Sequence, residues 1–176
     1  MSLASHLLVA HPNLKDRMFT KSVVLIIEDT PTGSVGVVLN KPSTFSVSQF
    51  FRIKQGHDFA SDDNIRCGGP VNSQAISMLH DDGWYSSNTY PLEHGLAVSS
   101  DEFMVEKMSM GNTPWRYRFF TGLSTWAPGQ LQAEIEHAQS WLTMPADDSI
   151  VFEYDSEKQW ETAVQQCTQQ AVQAWF

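Results

Sequence analysis

Ser22-Val-Val-Leu-Ile-Ile-Glu28, Asp29-Thr-Pro-Thr-Gly33 and Ser34-Val-Gly-Val-Val-Leu39 follow one another without interruption. The first run is β-branched and continuously apolar. That is the pattern of a strand buried on both faces, because the polar/apolar alternation disappears when neither face meets water. The second run is turn chemistry, and the third returns as another apolar strand. Together they predict a β-hairpin at the heart of the fold. Asn40-Lys41-Pro42 ends it, since the residue before a proline is pushed to extended geometry and the proline has no N–H for a ladder.

Outward from the hairpin, Leu7 to Ala10 reads as a strand stopped by the turn His11-Pro12-Asn13. Ser46 to Gln55 reads as a helix with Val47, Phe50 and Phe51 on one face, and His57 to Asn64 as an exposed acidic loop. Ala75 to His80 and Gly95 to Ser99 are short strands, with Asp81-Asp82-Gly83 turning after the first. Ser99-Ser-Asp-Glu102 has the form of a capping box opening a helix that runs to Met110 and stops at Gly111. Arg116 to Gly122 alternates as a half-buried strand. Pro128-Gly129 opens an amphipathic helix extending to Leu142, with Leu131, Ile135, Ala138 and Leu142 at helical spacing. Ser149 to Tyr154 reads as a strand. Ser156-x-x-Gln159 caps a final helix whose stripe of Trp160, Ala163, Val164, Cys167, Ala171 and Trp175 is either core or an interface between copies of the chain. Neither a repeat nor a linker divides residues 1–176, so the expectation is a single domain.

Among the 176 residues 41% are hydrophobic and 11% aromatic, enough to bury a core. The net charge of −9 is uneven: it is −1 through Asn88 and −8 from Thr89 onward. Affinity for nucleic acid rests on cations that displace counterions from phosphates, and after Arg118 the only Lys or Arg is Lys158. Direct nucleic-acid binding is therefore not expected. Lys15, Arg17, Lys21, Lys41, Arg52 and Lys54 read as a solvated mixed surface. Cys67 and Cys167 fit no C-x-x-C pattern and suit a reducing compartment. Met1 to His11 lacks the basic residues and the long apolar run of a signal peptide, and no stretch reaches the roughly 20 apolar residues of a spanning helix. The reading is a cytoplasmic protein without a membrane partner.

Cys67-Gly68-Gly69-Pro70-Val71 is a loop built for shape: two glycines can take positive φ and approach another group closely, and the ring of Pro70 then fixes the backbone. Cys67 and His80 are the weak candidates for a nucleophile and its base. Against that pairing, a free cysteine usually packs as a small hydrophobe and no third, orienting residue is evident. His6, His11, His57, His80, His94 and His137 form no H-x-x-x-H or H-E-x-x-H spacing, so no metal site and no cofactor is expected. Trp126-Ala127-Pro128-Gly129-Gln130 is a candidate binding element. A helix start offers amide donors, Trp126 a flat face and Gln130 a two-sided amide, suited to a small anion or a partner's backbone. The plainer alternative is that Pro128-Gly129 only starts the helix while Trp126 packs in the core. Asn40 is likewise either a strand-end cap or a ligand contact.

Taken together, the blocks resemble the AlgH/YqgE family of bacterial proteins, a group described as uncharacterised or as transcriptional regulators. The resemblance rests on His11-Pro-Asn-Leu14 with Asp16 and Phe19, Ser22-Val-Val, Gly36-Val-Val-Leu-Asn-Lys-Pro42, and Gly68-Gly-Pro-Val71 with Leu79-His80. It continues through Ser100-Asp101, Trp126-Ala-Pro-Gly-Gln-Leu131 with Glu134-Ile135, and Trp141-Leu142. The chain departs from the family's pattern at Gly122-Leu-Ser-Thr125, where a Gly-Tyr-Ala-Gly-like run is usual, and at Gln132, where a glutamate is usual. The resemblance implies an α+β fold with a central, partly barrel-like sheet surrounded by helices, and it implies no reaction.

These residues support three functional readings. The leading one is a non-enzymatic binding or regulatory protein whose surface is made by Gly68, Gly69, Pro70 and His80 with Trp126, Pro128, Gly129, Gln130 and Asn40, acting on a protein or small-molecule partner and affecting transcription indirectly. The second is an enzyme using Cys67 and His80 on an acyl substrate. The third, direct DNA binding, conflicts with the charge. Homo-oligomerisation through Trp160 to Phe176 stays open.

Overall fold

The hairpin pairs β2 (Val23–Thr30) with β3 (Gly33–Val38), Val24 opposite Val38 and Leu25 opposite Val37. The structure is a computed structural model, and it describes residues 1–56 and 58–176; His57, at the head of the expected acidic loop, lies outside the described residues. β1 (His6–Ala10) pairs with the other edge of β2. The continuous apolar runs are explained by two cores, one on each face. Leu7, Val9, Val23, Leu25 and Val37 face one core, which contains Ile150, Val151, Phe152 and Ala163. Leu8, Ala10, Val24, Ile26 and Val38 face another, which contains Trp126, Leu131 and Trp141.

The remaining strands are β4 (Pro42–Ser46), β5 (Asn64–Cys67), β6 (Val71–Asp81), β7 (Tyr90–Pro91), β8 (Leu96–Ser99), β9 (Tyr117–Trp126) and β10 (Trp141–Pro145). The helices are α1 (Val47–Gln55), α2 (Glu102–Ser109), α3 (Gln130–Glu136), α4 (Asp148–Phe152) and α5 (Ser156–Gln173). The strand order is β10-β1-β2-β3-β9-β6-β8-β7, with β5 paired to both β4 and β9. All pairings are antiparallel except β5 with β9. This is the α+β architecture with a curled, half-barrel sheet that the resemblance implies. A third core joins α1 and α2 to the sheet through Phe50, Phe51, Met78, Met104, Met108 and Phe119. Among the described residues no helix is long and apolar enough to cross a membrane.

The Gly-Gly-Pro loop is a crossing of two backbones. Gly68 N–H donates to Thr121 O at 2.8 Å, and Gly68 O accepts from Val38 N at 2.9 Å and from Ser124 Oγ at 3.0 Å. A Cβ on Gly69 would stand 2.2 Å from the Leu123 carbonyl, and one on Gly122, at φ +74°, 2.3 Å from Gly69 O. Only hydrogens fit where these chains meet. The crossing welds β5, β3 and β9 and turns β9 from its partners β5 and β6 toward β3.

Several local expectations give way, some to strand pairing and some to a different cap. Residues 141–145 form β10, not the end of a helix, because they satisfy the free edge of β1 from His6↔Pro145 to Ala10↔Trp141. Ser149 to Tyr154 is not a strand. The Asp147 carboxylate accepts from the amides of Ser149 and Ile150 and caps α4, outweighing β-branched propensity. Ser99 belongs to β8, so the cap of α2 is Asp101, which accepts from Met104 N at 2.6 Å. At the last helix Asp155 occupies the cap position without capping, its carboxylate drawn to Arg66 at 2.6 Å, while Gln159 donates to Ile150 O. The end of α5 exposes Val172, Trp175 and Phe176.

Gly69→Ala is expected to lower unfolding stability by about 3 kcal/mol or more, because the backbone of Leu123 has to move. Gly129→Ala, whose Cβ meets nothing within 4 Å, costs only about 1–2 kcal/mol for its left-handed conformation. Urea unfolding of the two variants checks the order, and equal losses contradict the tight crossing.

Candidate functional site

Where β9 leaves the glycine crossing it ends at Trp126, and the chain turns through Pro128 and Gly129 into α3. Gly129, at φ +77°, occupies the cap position with no side chain to cap with. The first amide of α3, Gln130 N–H, donates to Ala127 O at 2.9 Å. The Gln130 side chain does two jobs: its Oε1 accepts from Ala127 N, and its Nε2 donates to Glu134 Oε1, both at 2.9 Å. Glu134 Oε2 accepts the indole N–H of Trp126 at 3.0 Å and that of Trp141 at 2.8 Å. One carboxylate thus ties the end of β9, α3 and the start of β10 together. Each indole is 5% exposed, so both N–H groups would be costly to leave unpaired.

Phe19 completes the wall. Its ring lies edge-on to Trp141 with centroids 5.6 Å apart and 6.4 Å from Trp126. The loop that carries it is held by Asp16, whose Oδ1 accepts from Met18 N and Phe19 N at 2.8 and 2.9 Å. Above these groups is a recess of about 290 Å³ lined by Leu14, Asp16, Phe19, Thr125, Trp126, Gln130, Glu134, Ser140 and Trp141. Three of the blocks behind the family resemblance converge here from opposite ends of the chain. Larger recesses lie elsewhere. One of about 420 Å³ sits between α1 and the start of α2, where Asp101 is already engaged by Met104, Ser86 and Asn88. Another, of about 550 Å³, is an open groove along α5 alone.

The other sequence-flagged residues are placed differently. Gly68 and Gly69 are buried in the crossing, while Cys67 and Pro70 of that loop are exposed. Asn40 is 4% exposed and fully engaged: Oδ1 accepts from Val23 N, and Nδ2 donates to Lys21 O and Ser156 O. Cys67 and His80 are not brought together. They pair with Thr121 and Tyr117 on opposite edges of β9, four residues apart along it, which is more than about 13 Å at roughly 3.3 Å per residue. His80 is fully buried. Its Nδ1–H donates to Asp81 O at 2.7 Å, which leaves Nε2 to accept from Ser99 Oγ at 2.8 Å, and Thr89 extends the chain. Among the described residues no three His, Cys, Asp or Glu side chains are grouped to hold a metal ion.

Two features escaped sequence reasoning. Glu134, Asp16, Phe19 and Trp141 were visible as family blocks but not as one site, because only the β1–β10 pairing carries Trp141 back to Trp126. Arg66 and Arg118 form a network with Asp63 and Asp155, Arg66 Nη1 meeting Asp63 at 2.8 Å and Arg118 Nη1 meeting it at 3.1 Å. That network joins β5 and β9 to the start of α5.

Comparison with known proteins agrees with this architecture. A family model described as AlgH-like matches residues 7–172. The chain belongs to the AlgH-like family. A UPF0301 protein of Saccharophagus degradans is 32% identical over 168 residues, covering 94% of this chain and 82% of that protein. A UPF0301 protein of Stenotrophomonas maltophilia is 35% identical over 167 residues, covering 92% and 87%. Among solved structures, the AlgH protein from Pseudomonas aeruginosa superposes with a TM-score of 0.78 at 28% identity, covering 93% of this chain and 87% of that one. A Corynebacterium diphtheriae protein gives 0.72 at 27%, covering 91% and 84%. None of these names specifies a reaction.

His80 offers a pH test of its structural placement. Burial holds its imidazole below the ordinary value of 6.5, against the opposing pull of the Asp81 carbonyl and carboxylate. The unfolded chain therefore binds the proton more readily. The stability His80 contributes is complete above about pH 6.5 and is lost as pH falls through that value toward the lower native one. Wild type is expected to lose more thermal stability between about pH 7.5 and about pH 5.5 than His80→Gln does; equal losses contradict a buried, neutral His80.

Proposed function

We propose that this AlgH-like chain is a non-enzymatic binding protein that works through the recess over Glu134. The observation that carries the proposal is the convergence of Phe19, Trp126 and Trp141 on one carboxylate, leaving an open, partly aromatic cavity whose floor is rigidly held. Such a cavity combines an aromatic wall with fixed polar groups that can orient a small ligand. At about 290 Å³ it suits a side chain or a small head group. Separation of Cys67 from His80 removes the pairing that an acyl-transfer reading needs. On this reading any effect on gene expression passes through the bound partner, a view supported by the net charge of −8 from Thr89 onward. The two free cysteines support a cytoplasmic site of action.

The indole N–H resonances of Trp126 and Trp141 report on the recess directly. Adding the small-molecule fraction of a bacterial extract is expected to shift these two resonances in the wild-type protein and not in Thr125→Phe, which fills the cavity from the exposed edge of β9. Shifts that persist in Thr125→Phe, or that fall on residues around Cys67 or between α1 and α2, contradict the proposal.

A further inference from the structure

The hydrogen-bond inventory of the recess is lopsided. Both indole N–H groups and one N–H of the Gln130 amide are already engaged inside the protein, all pointing at Glu134. The acceptors are not exhausted. A carboxylate has about four lone-pair positions. Glu134 uses two on Oε2 and one on Oε1, and Asp16 uses two on Oδ1. Among the described residues neither carboxylate takes part in an ion pair. Lys15 and Arg17 flank Asp16 in sequence, yet neither reaches it or Glu134 within ion-pair distance.

Two uncompensated carboxylates therefore share a recess walled by Leu14 and three aromatic rings. Against such a wall the local dielectric is below that of water, and a cation is attracted more strongly than at an open surface. An anion meets two like-charged carboxylates and no cationic side chain, with only the Thr125 and Ser140 hydroxyls and one Gln130 N–H to donate to it. A ligand fitting this lining has many donors, positive charge, a flat shape and weak hydration. Those are the properties of a guanidinium group rather than an ammonium, since its planar fork bonds carboxylates bidentately and packs against aromatic rings.

We propose that the ligand of the Glu134 recess is a guanidinium group, held by the free acceptors of Glu134 and Asp16. The proposal rests on the recess being the binding site. The same chemistry arises from an arginine side chain on a protein partner or from a free guanidine compound.

The test titrates 15N-labelled protein with the peptide acetyl-Gly-Gly-Arg-Gly-Gly-amide, with its citrulline counterpart, and with agmatine, while following the Trp126 and Trp141 indole resonances. Citrulline replaces the guanidinium by a neutral urea of nearly equal shape. The arginine peptide or agmatine is expected to shift both resonances, with the citrulline peptide at least tenfold weaker. Glu134→Gln, which keeps the side chain's size and an acceptor for the indoles, is expected to weaken binding at least tenfold while the indole resonances stay dispersed as in a folded protein. Tighter binding of the peptide than of agmatine identifies a protein partner, and the reverse identifies a free small molecule. Equal binding of citrulline and arginine, an undiminished Glu134→Gln, or no shift by either guanidinium probe overturns the proposal. If the extract fraction shifts these resonances while both guanidinium probes leave them unmoved, the guanidinium assignment fails and the recess stands as the binding site.

Discussion

The backbone crossing of Gly68 and Gly69 over Gly122 to Ser124 is the constraint on which the rest of the molecule depends. β9 has to serve two sets of partners, β5 and β6 along its first half and β3 along its second. It does so only because the two chains approach to a distance at which any side chain would collide with a carbonyl. The hydrogen bonds from Val38 and Ser124 to Gly68 O then lock the hairpin to the bend. Everything beyond the bend, including Trp126 and the entry to α3, inherits its position from this contact.

A second layer of organisation comes from buried polar groups that hold the elements around that strand. Asn40 clamps the ends of β2 and β3 to the start of α5, His80 joins β6 to β8 through Ser99, and Arg66 ties β5 to Asp63 and Asp155. In each case donors and acceptors are matched inside the protein, which is the condition under which a buried polar group stabilises a unique arrangement. The site over Glu134 departs from this rule in one respect. Its two indole donors are matched, but Glu134 and Asp16 keep acceptor positions that have no cationic partner and face a cavity. An unmatched carboxylate at a solvent-connected recess is tolerable in the free protein and becomes useful when a cation arrives.

Much of the fold was legible because the patterns involved are local. The apolar run of β2 announces a strand buried on both faces, those of β1 and β3 announce its neighbours, and Val47, Phe50 and Phe51 at helical spacing announce α1, whose start is fixed by a reciprocal capping box of Ser46 and Gln49. The Gly-Gly-Pro loop was legible as shape, although the group it approaches, Gly122, was not. The errors have two causes: tertiary pairing outweighing local periodicity, and a side-chain cap outweighing β-branched propensity. Leu142 has helical spacing from Leu131, yet residues 141–145 complete the edge of β1. Ser149 to Tyr154 has strand composition, yet Asp147 caps it as a helix. The site was half legible: Trp126 and Gln130 stood out, whereas Glu134 and Trp141 became functional candidates only once β10 was placed beside β1. No spacing rule joins an acidic residue to two tryptophans that meet through a sheet edge.

The most direct test of this account is a crystal structure of the protein grown with the arginine peptide. The account predicts density for the guanidinium in the recess beside Phe19, with nitrogens about 2.7–2.9 Å from the free oxygens of Glu134 and Asp16, the range of charge-assisted hydrogen bonds. A peptide bound instead beside Cys67, along the groove of α5 or between α1 and α2, with the Glu134 recess empty, would contradict it.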